Sequence, residues 1–344
     1  MKFNFTYLIL LFATATISAQ TFKTPVDYLN YIGKEQTTIS RTMWKYTSAV
    51  AHSKSARKID ATRKQLVKSI QTASKKISDL KDGYNGDVDY RNKVVDYLKI
   101  SENSINNDYD KIIDMQEVAE QSYDYMEAYI LARDLVNEKI AAENEKVVNE
   151  QRAFALKYKI TLSEDSSELG KKIKISNEVF DYHTAIYLIF FKANITDLYL
   201  SNAIEKKDLG AIQQNANSLL LYSNEGIEKL KTMQPYKGDS SLLLITKKAL
   251  EYYKKEAEKY VPNVVSFFMF NEKFENAKKT LEAKSQKDRT KEEIENYNGM
   301  VKQINNEIQN YNKVNTANVN EKNNAISLWN QTGENFISKH VPQD

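Results

Sequence analysis

The sequence predicts an all-α fold: an elongated bundle of about seven to nine antiparallel helices, arranged as two tandem repeats of a helical-hairpin unit. Three observations lead there. Glycine and proline are scarce, 9 and 4 in 344 residues, so the turn punctuation of a sheet protein is missing. Apolar residues recur at threes and fours along most of the chain. The stretch from Ile77 to Leu80 followed by Tyr84-Asn85-Gly86-Asp87 also returns as Ile227 to Leu230 followed by Tyr236-Lys237-Gly238-Asp239. At each place an amphipathic helix runs out and turns on Tyr-x-Gly-Asp. The glycine supplies a positive φ, and the aspartate caps the next helix.

The chain opens with Met1-Lys2, the apolar run Tyr7 to Ala13 and the small residues Ser18-Ala19. These are the parts of a secretory signal peptide over residues 1–19, which implies export to the periplasm, the cell surface or the medium. Cysteine is absent, so neither a lipid anchor on cysteine nor disulfide staples are available, and stability must come from the core. Lys and Arg number 49 against 46 Asp and Glu. A balance that even gives no reason to expect nucleic acid as a partner.

In chain order, Thr24-Pro25-Val26-Asp27 starts a first helix with a capping hydroxyl, a proline at the first position and an acid at the positive end. Val26, Leu29, Ile32, Ile39, Met43, Tyr46 and Val50 mark its inward stripe, and it ends near His52. A second helix from Ala56 to Lys81 buries Leu66, Ile70, Ala73, Ile77 and Leu80. Its outer face carries Lys64, Lys68, Lys75 and Lys76, read as solvated in preference to lying on an anionic membrane. After the Gly86 joint a third helix carries Val94, Leu98 and Ile105, and Asn106 to Asp108 marks a turn. A long helical tract runs from Ile112 to Tyr158, with Val136, Ile140, Val147 and Phe154 inside. Thr161 to Gly170 is the boundary between a first repeat, 20–162, and a second, 163–344, the two packed as one continuous bundle.

The second repeat begins with a helix that is apolar on all sides from Ala185 to Phe191, a mark of a central position. At one constant displacement Leu66, Ile77 and Leu80 fall on Ala216, Ile227 and Leu230. At a second, Tyr84, Gly86, Asp87 and Leu98 fall on Tyr236, Gly238, Asp239 and Leu250, and Ile112 to Met115 fall on Val264 to Phe267. A helix starting at Phe267 and a capping box at Thr290 to Glu293 follow. An Asn-rich link from Asn312 to Asn324 then leads to a short last helix with Trp329 and Phe336.

Catalytic signatures are sparse. His52, His183 and His340 stand outside any Glu-x-x-His pair, and His183, beside the apolar run, is the one expected in the core. No nucleophile elbow and no phosphate-binding glycine loop occurs. Acid pairs such as Glu292-Glu293 and Asp165 with Glu168 carry no sugar-binding context. Asp79 to Asp87 only loosely resembles a calcium loop. The expectation is therefore no enzyme, no catalytic, cofactor-binding or metal residues, and no cofactor. Tyr123, Tyr125, Tyr129, Tyr252, Tyr253 and Tyr260 lie on several helical faces, so some are expected at the surface as contacts for a protein or glycan.

With its signal peptide, Val26 to Ile32 in the first helix, Trp44 and the Gly-Asp joint, the sequence resembles the LIC-type surface proteins, exported helical proteins of bacteria. The resemblance implies an envelope or surface location and brings no active residues with it. Two functions are weighed: a non-enzymatic bundle that binds or scaffolds a protein or glycan, and a membrane-active bundle using the runs Ile186 to Phe191 and Val264 to Phe270.

Overall fold

The structure is a computed structural model that describes residues 22–108, 119–162 and 167–343. It is an all-α multi-helix bundle. The expected signal peptide and the aligned Ile112 to Met115 lie outside the described residues, as does part of the boundary at Thr161 to Gly170. The helices are α1 (Pro25–His52), α2 (Ala56–Ser78), α3 (Asp89–Asn103), α4 (Tyr123–Lys157), α5 (Glu168–Glu205), α6 (Leu209–Thr232), α7 (Ser241–Lys255), α8 (Val261–Glu282) and α9 (Lys291–His340). Two five-residue π-helical segments, Ser104–Asp108 and Glu256–Tyr260, continue α3 and α7.

Helix starts follow the chemistry read from the sequence. Thr24 and Asp27 cap each other's backbone N–H at 3.1 and 3.0 Å, and Thr290 and Glu293 form a capping box at 3.2 and 3.0 Å. Several expectations need correction. The tract expected to run unbroken from Ile112 to Tyr158 is interrupted at Glu120 to Ser122, where the Ser122 hydroxyl caps the Tyr125 N–H and α4 begins. Helix α8 starts at Val261, with Pro262 in its first turn, rather than at Phe267. The expected turn at Asn106 to Asp108 is the end of a π-helical segment. The expected link Asn312 to Asn324 is the middle of the 50-residue helix α9. Asparagine there lacks the backbone freedom of glycine or the missing N–H of proline, and tertiary hydrogen bonds hold the helix through it. In α1, Val26 and Val50 are exposed, whereas Tyr28, Ile32 and Trp44 are buried.

The chain forms two compact units, each gathered from separate segments rather than from one half of the sequence. The first takes residues 22–43, 63–108 and 136–162, and the second takes 44–62, 119–135 and 167–343. In the first, the core is aromatic: Tyr28 of α1, Tyr90 of α3 and Phe154 of α4 meet with ring centroids 5.2 to 6.4 Å apart. The ion pair of Lys76 with the nearly buried Glu35 (2.8 Å) and the Thr42–Ser69 hydroxyl contact (2.7 Å) tie α2 to α1.

In the second, α5, α6 and α7 pack on one another and α9 packs on α5, α7 and α8. Trp329 of α9 stacks on Phe190 of α5 at 4.2 Å and donates its indole N–H to Thr246 of α7 at 2.9 Å. The first part of α9 and the distal part of α8 form a two-helix hairpin, with Phe267 on Tyr311 (4.4 Å) and Phe274 on Tyr297 (5.7 Å). Ile304 is the buried residue of that stretch of α9.

The glycine joints recur in detail. Gly86 and Gly238 both have φ +84°, preceded by Asn85 at +51° and Lys237 at +49°. Tyr84 bridges Asp87, and Tyr236 bridges Asp239. The displacement along the chain that carries Gly86 onto Gly238 also carries α3 onto α7 and Ser104–Asp108 onto Glu256–Tyr260. Buried positions follow it: Tyr90 with Leu242, Val94 with Thr246, Leu98 with Leu250, Ser104 with Glu256.

Candidate functional site

The main concentration of buried charge lies in the second unit, where three inward stripes each carry a polar residue at the same level. On α5 the stripe Phe190, Ala193, Asp197, Leu200 advances by three and four, so Asp197 points inward with 5% of its surface exposed. On α7 the stripe Leu242, Thr246, Leu250, Tyr253 is extended one step of three to Glu256, which opens the π segment and is 2% exposed. On α9, Asn318 and Lys322 precede Ala325 and Trp329 in the same rhythm. The result is a polar layer in an otherwise apolar core.

Its hydrogen bonds are specific. The Lys322 ammonium donates to Asp197 Oδ1 at 2.6 Å and to Ser201 Oγ at 3.2 Å, and pairs with Glu256 Oε1 at 3.1 Å. Asn318 donates to Glu256 Oε1 at 2.7 Å and accepts from the Tyr252 hydroxyl at 2.8 Å, while Tyr253 donates to Asn194 at 2.7 Å. Beside the layer, Glu321 accepts from Lys255 and from Tyr260, at 2.7 and 2.8 Å.

Burial and the neighbouring Glu256 charge push Asp197 up to about 8, although Lys322 opposes them. For Lys322, burial works against the charge, yet Asp197 and Glu256 outweigh it and raise the ammonium further. Burial and the two acids likewise raise the Tyr252 and Tyr253 phenols. Buried charges of this kind cost desolvation and are held by being paired and hydrogen-bonded.

The two joints are the other polar centres. Asp87 accepts from Lys157 Nζ at 2.7 Å and from the Tyr158 hydroxyl at 3.2 Å; Asp239 accepts from Lys339 Nζ at 2.6 Å and contacts His340 Nε2 at 2.9 Å. Each acid also takes a backbone N–H two residues on, from Asp89 and Ser241. The partners are a lysine, a main-chain N–H and one tyrosine or histidine at each joint, the surroundings of a structural cap, and among the described residues no cluster of three metal-ligating side chains occurs.

His183 sits against Tyr187 and Trp329, opposite Gly333, and burial lowers it to about 4, which keeps the ring neutral near pH 7. It is not alone in being enclosed, as the sequence suggested, since the His340 side chain is 13% exposed. Of the tyrosines expected as contacts, Tyr252 and Tyr253 are core residues and Tyr125 is 54% exposed. Tyr125, Leu131 and Leu135 lie close to one face of α4, each more than half exposed, while Met126 and Ile130 on the other side pack against Phe191 and Ile195 of α5. A shallow hollow along α9 adds amides to the surface, lined by Asn323, Ser327, Asn330 and Gln331 beside Lys54. Of the apolar runs, Ile186, Phe190 and Phe191 are buried, and Met269 in the other is 59% exposed. Among the described residues no helix is long and apolar enough to cross a membrane.

Asp197, Glu256 and Lys322 were not singled out by sequence reasoning. The signal that finds them is a charged residue in step with an inward stripe. No family model matches this sequence, and no curated protein or solved structure is significantly similar to it.

Proposed function

We propose that the protein is a non-enzymatic helical bundle, exported to the cell envelope or surface, that binds or scaffolds a protein or glycan partner. The observation that carries this reading is the α4 face of Tyr125, Leu131 and Leu135. Three large apolar side chains are held in water by a helix whose opposite side is firmly packed. Aromatic and aliphatic residues presented in this way suit the centre of a protein contact. The amide-lined hollow on α9 suits a polyhydroxylated ligand. The signal-peptide features and the likeness to LIC-type surface proteins supply the location. The matching joints and π segments support descent of the two repeats from one duplicated unit.

The test is site-specific photocrosslinking from positions 125, 131 and 135 in cells producing the full chain, with fractionation of the envelope. One discrete adduct in the envelope fraction, lost in Leu131→Glu with Leu135→Glu, is the expected outcome. Uniform background from all three positions would overturn it.

The second reading, a membrane-active protein, is favoured by one observation, the exposed Met269 among the phenylalanines of α8. Dye release from phosphatidylglycerol-containing vesicles by the mature protein would establish it in place of the first. Absence of any lipid association removes it.

A further inference from the structure

The polar layer holds an oxygen with no donor. Glu256 Oε2 is fully buried without a hydrogen-bond partner, while Oε1 of the same carboxyl accepts from Asn318 and pairs with the Lys322 ammonium. Lys322 donates to Asp197 Oδ1 and Ser201 Oγ and pairs with Glu256 on its Oε1 side, not at Oε2. Within hydrogen-bonding reach of Glu256 are the Tyr252 hydroxyl, whose proton goes to Asn318, and the other carboxyl, Asp197. Two carboxylates cannot bond to each other without a proton between them. Two negative charges against one ammonium also leave a surplus negative charge in a buried layer, which desolvation disfavours. One proton removes both difficulties: it supplies the missing donor and makes the layer neutral.

We propose that Asp197 and Glu256 bind a single proton between them at neutral pH, and that releasing it loosens the junction of α5, the Glu256–Tyr260 π segment and α9. The layer is thereby a proton-binding site built into the bundle core, selective for the acid form because the enclosing groups are fixed. The charged and titratable groups facing the pair are Lys322 from α9 and the Tyr252 and Tyr253 phenols from α7. Among the described residues α6 adds no charge to its hydrogen bonds.

The sign follows from the raised acid. The folded chain keeps a proton that the unfolded chain gives up in the ordinary carboxylate range. Stability from this source is therefore full at low pH and falls as pH rises through the value near 8. A neutral isostere mimics the protonated state, because an Asn or Gln amide places an N–H where the shared proton stood.

The experiment is the melting temperature of the full chain from pH 6 to 9.5, with carbon-13 NMR of its labelled Asp and Glu carboxyls. Expected is a fall of about 5 °C between pH 6 and 8 in the parent, levelling off above that. That fall should be flattened in Asp197→Asn or Glu256→Gln, with one carboxyl resonance titrating in the same window. A parent curve flat to pH 9, or both variants retaining the parent's fall, would overturn the proposal. If neither variant folds, the parent NMR decides: no Asp or Glu carboxyl titrating above pH 6 rejects it.

Discussion

The two Gly-Asp joints have the same turn and different surroundings. Both place a glycine at φ +84° after a left-handed residue, and both aim an aspartate at a lysine and its neighbour near the C-terminal end of a distant helix. Their approaches differ. Helix α2 stops at Ser78 and reaches Tyr84 through a turn whose Gly83 is also left-handed, at φ +57°, with Arg91 donating to the Leu80 and Lys81 carbonyls at 2.6 and 2.7 Å. Helix α6 instead runs to Thr232 and reaches Tyr236 through Gln234-Pro235, with the Tyr182 hydroxyl on the Gln234 carbonyl at 2.9 Å. The acid is also held more tightly in the second joint, where its three contacts span 2.6 to 2.9 Å against 2.7 to 3.4 Å in the first. What the two joints share is the turn and the clamp on its aspartate; the lead-in is free to vary.

The most severe way to break the comparison is Gly83→Ala. A Cβ there would stand 1.9 Å from the Asp87 carbonyl oxygen, on a backbone that already favours glycine. A loss of about 3 kcal/mol or more is expected in denaturant unfolding, with no equivalent site in the second joint. Parent-like stability would mean that the lead-in, not the turn, is the adaptable part of the first joint.

Next in size are the acids. Asp239→Ala is expected to cost about 2 kcal/mol and Asp87→Ala about 1 kcal/mol, since each removes a cap and charge-assisted bonds. Burial raises both carboxyls, but for Asp87 the Lys157, Asp89 and Tyr158 donors outweigh it. For Asp239 the Lys339, Ser241 and His340 donors hold it much further below the ordinary range. A depressed acid stabilises the fold above its unfolded value and loses that contribution as pH falls through its folded value. The gap in melting temperature between parent and Asp87→Asn should therefore close at a higher pH than the gap for Asp239→Asn. Simultaneous closure would show the two clamps to be equal.

The smallest effect sharpens the likeness. Gly86→Ala and Gly238→Ala meet no atom within 4 Å, so only the positive φ opposes them. Each should cost about 1 kcal/mol, and by the same amount.

These joints were legible in the sequence because a Gly-Asp pair after a helical stripe carries its geometry locally. The starts of α1 and α9 were legible for the same reason: Thr24-Pro25 and Thr290 with Glu293 act within four residues. The length of α9 was not. Asn312 to Asn324 has the composition of a link, and only partners far away in sequence, Tyr252 and Glu256 on Asn318 and Asp197 on Lys322, hold it as helix. The polar layer was hidden likewise, since Lys322 and Asp197 stand 125 positions apart and nothing along either helix shows that the two meet. Pattern along one helix shows which way a residue points, and only packing shows what it meets.

Helix α9 is one rod in geometry and two in cooperativity. Its first half leans on α8 through Tyr297 and Tyr311, whereas from Asn318 onward it is clamped by the polar layer, Trp329, Phe336 and the Asp239 joint. Amide protons near Ile304 should therefore trade with deuterium through brief local openings of the hairpin, while those around Trp329 wait for the whole unit to unfold.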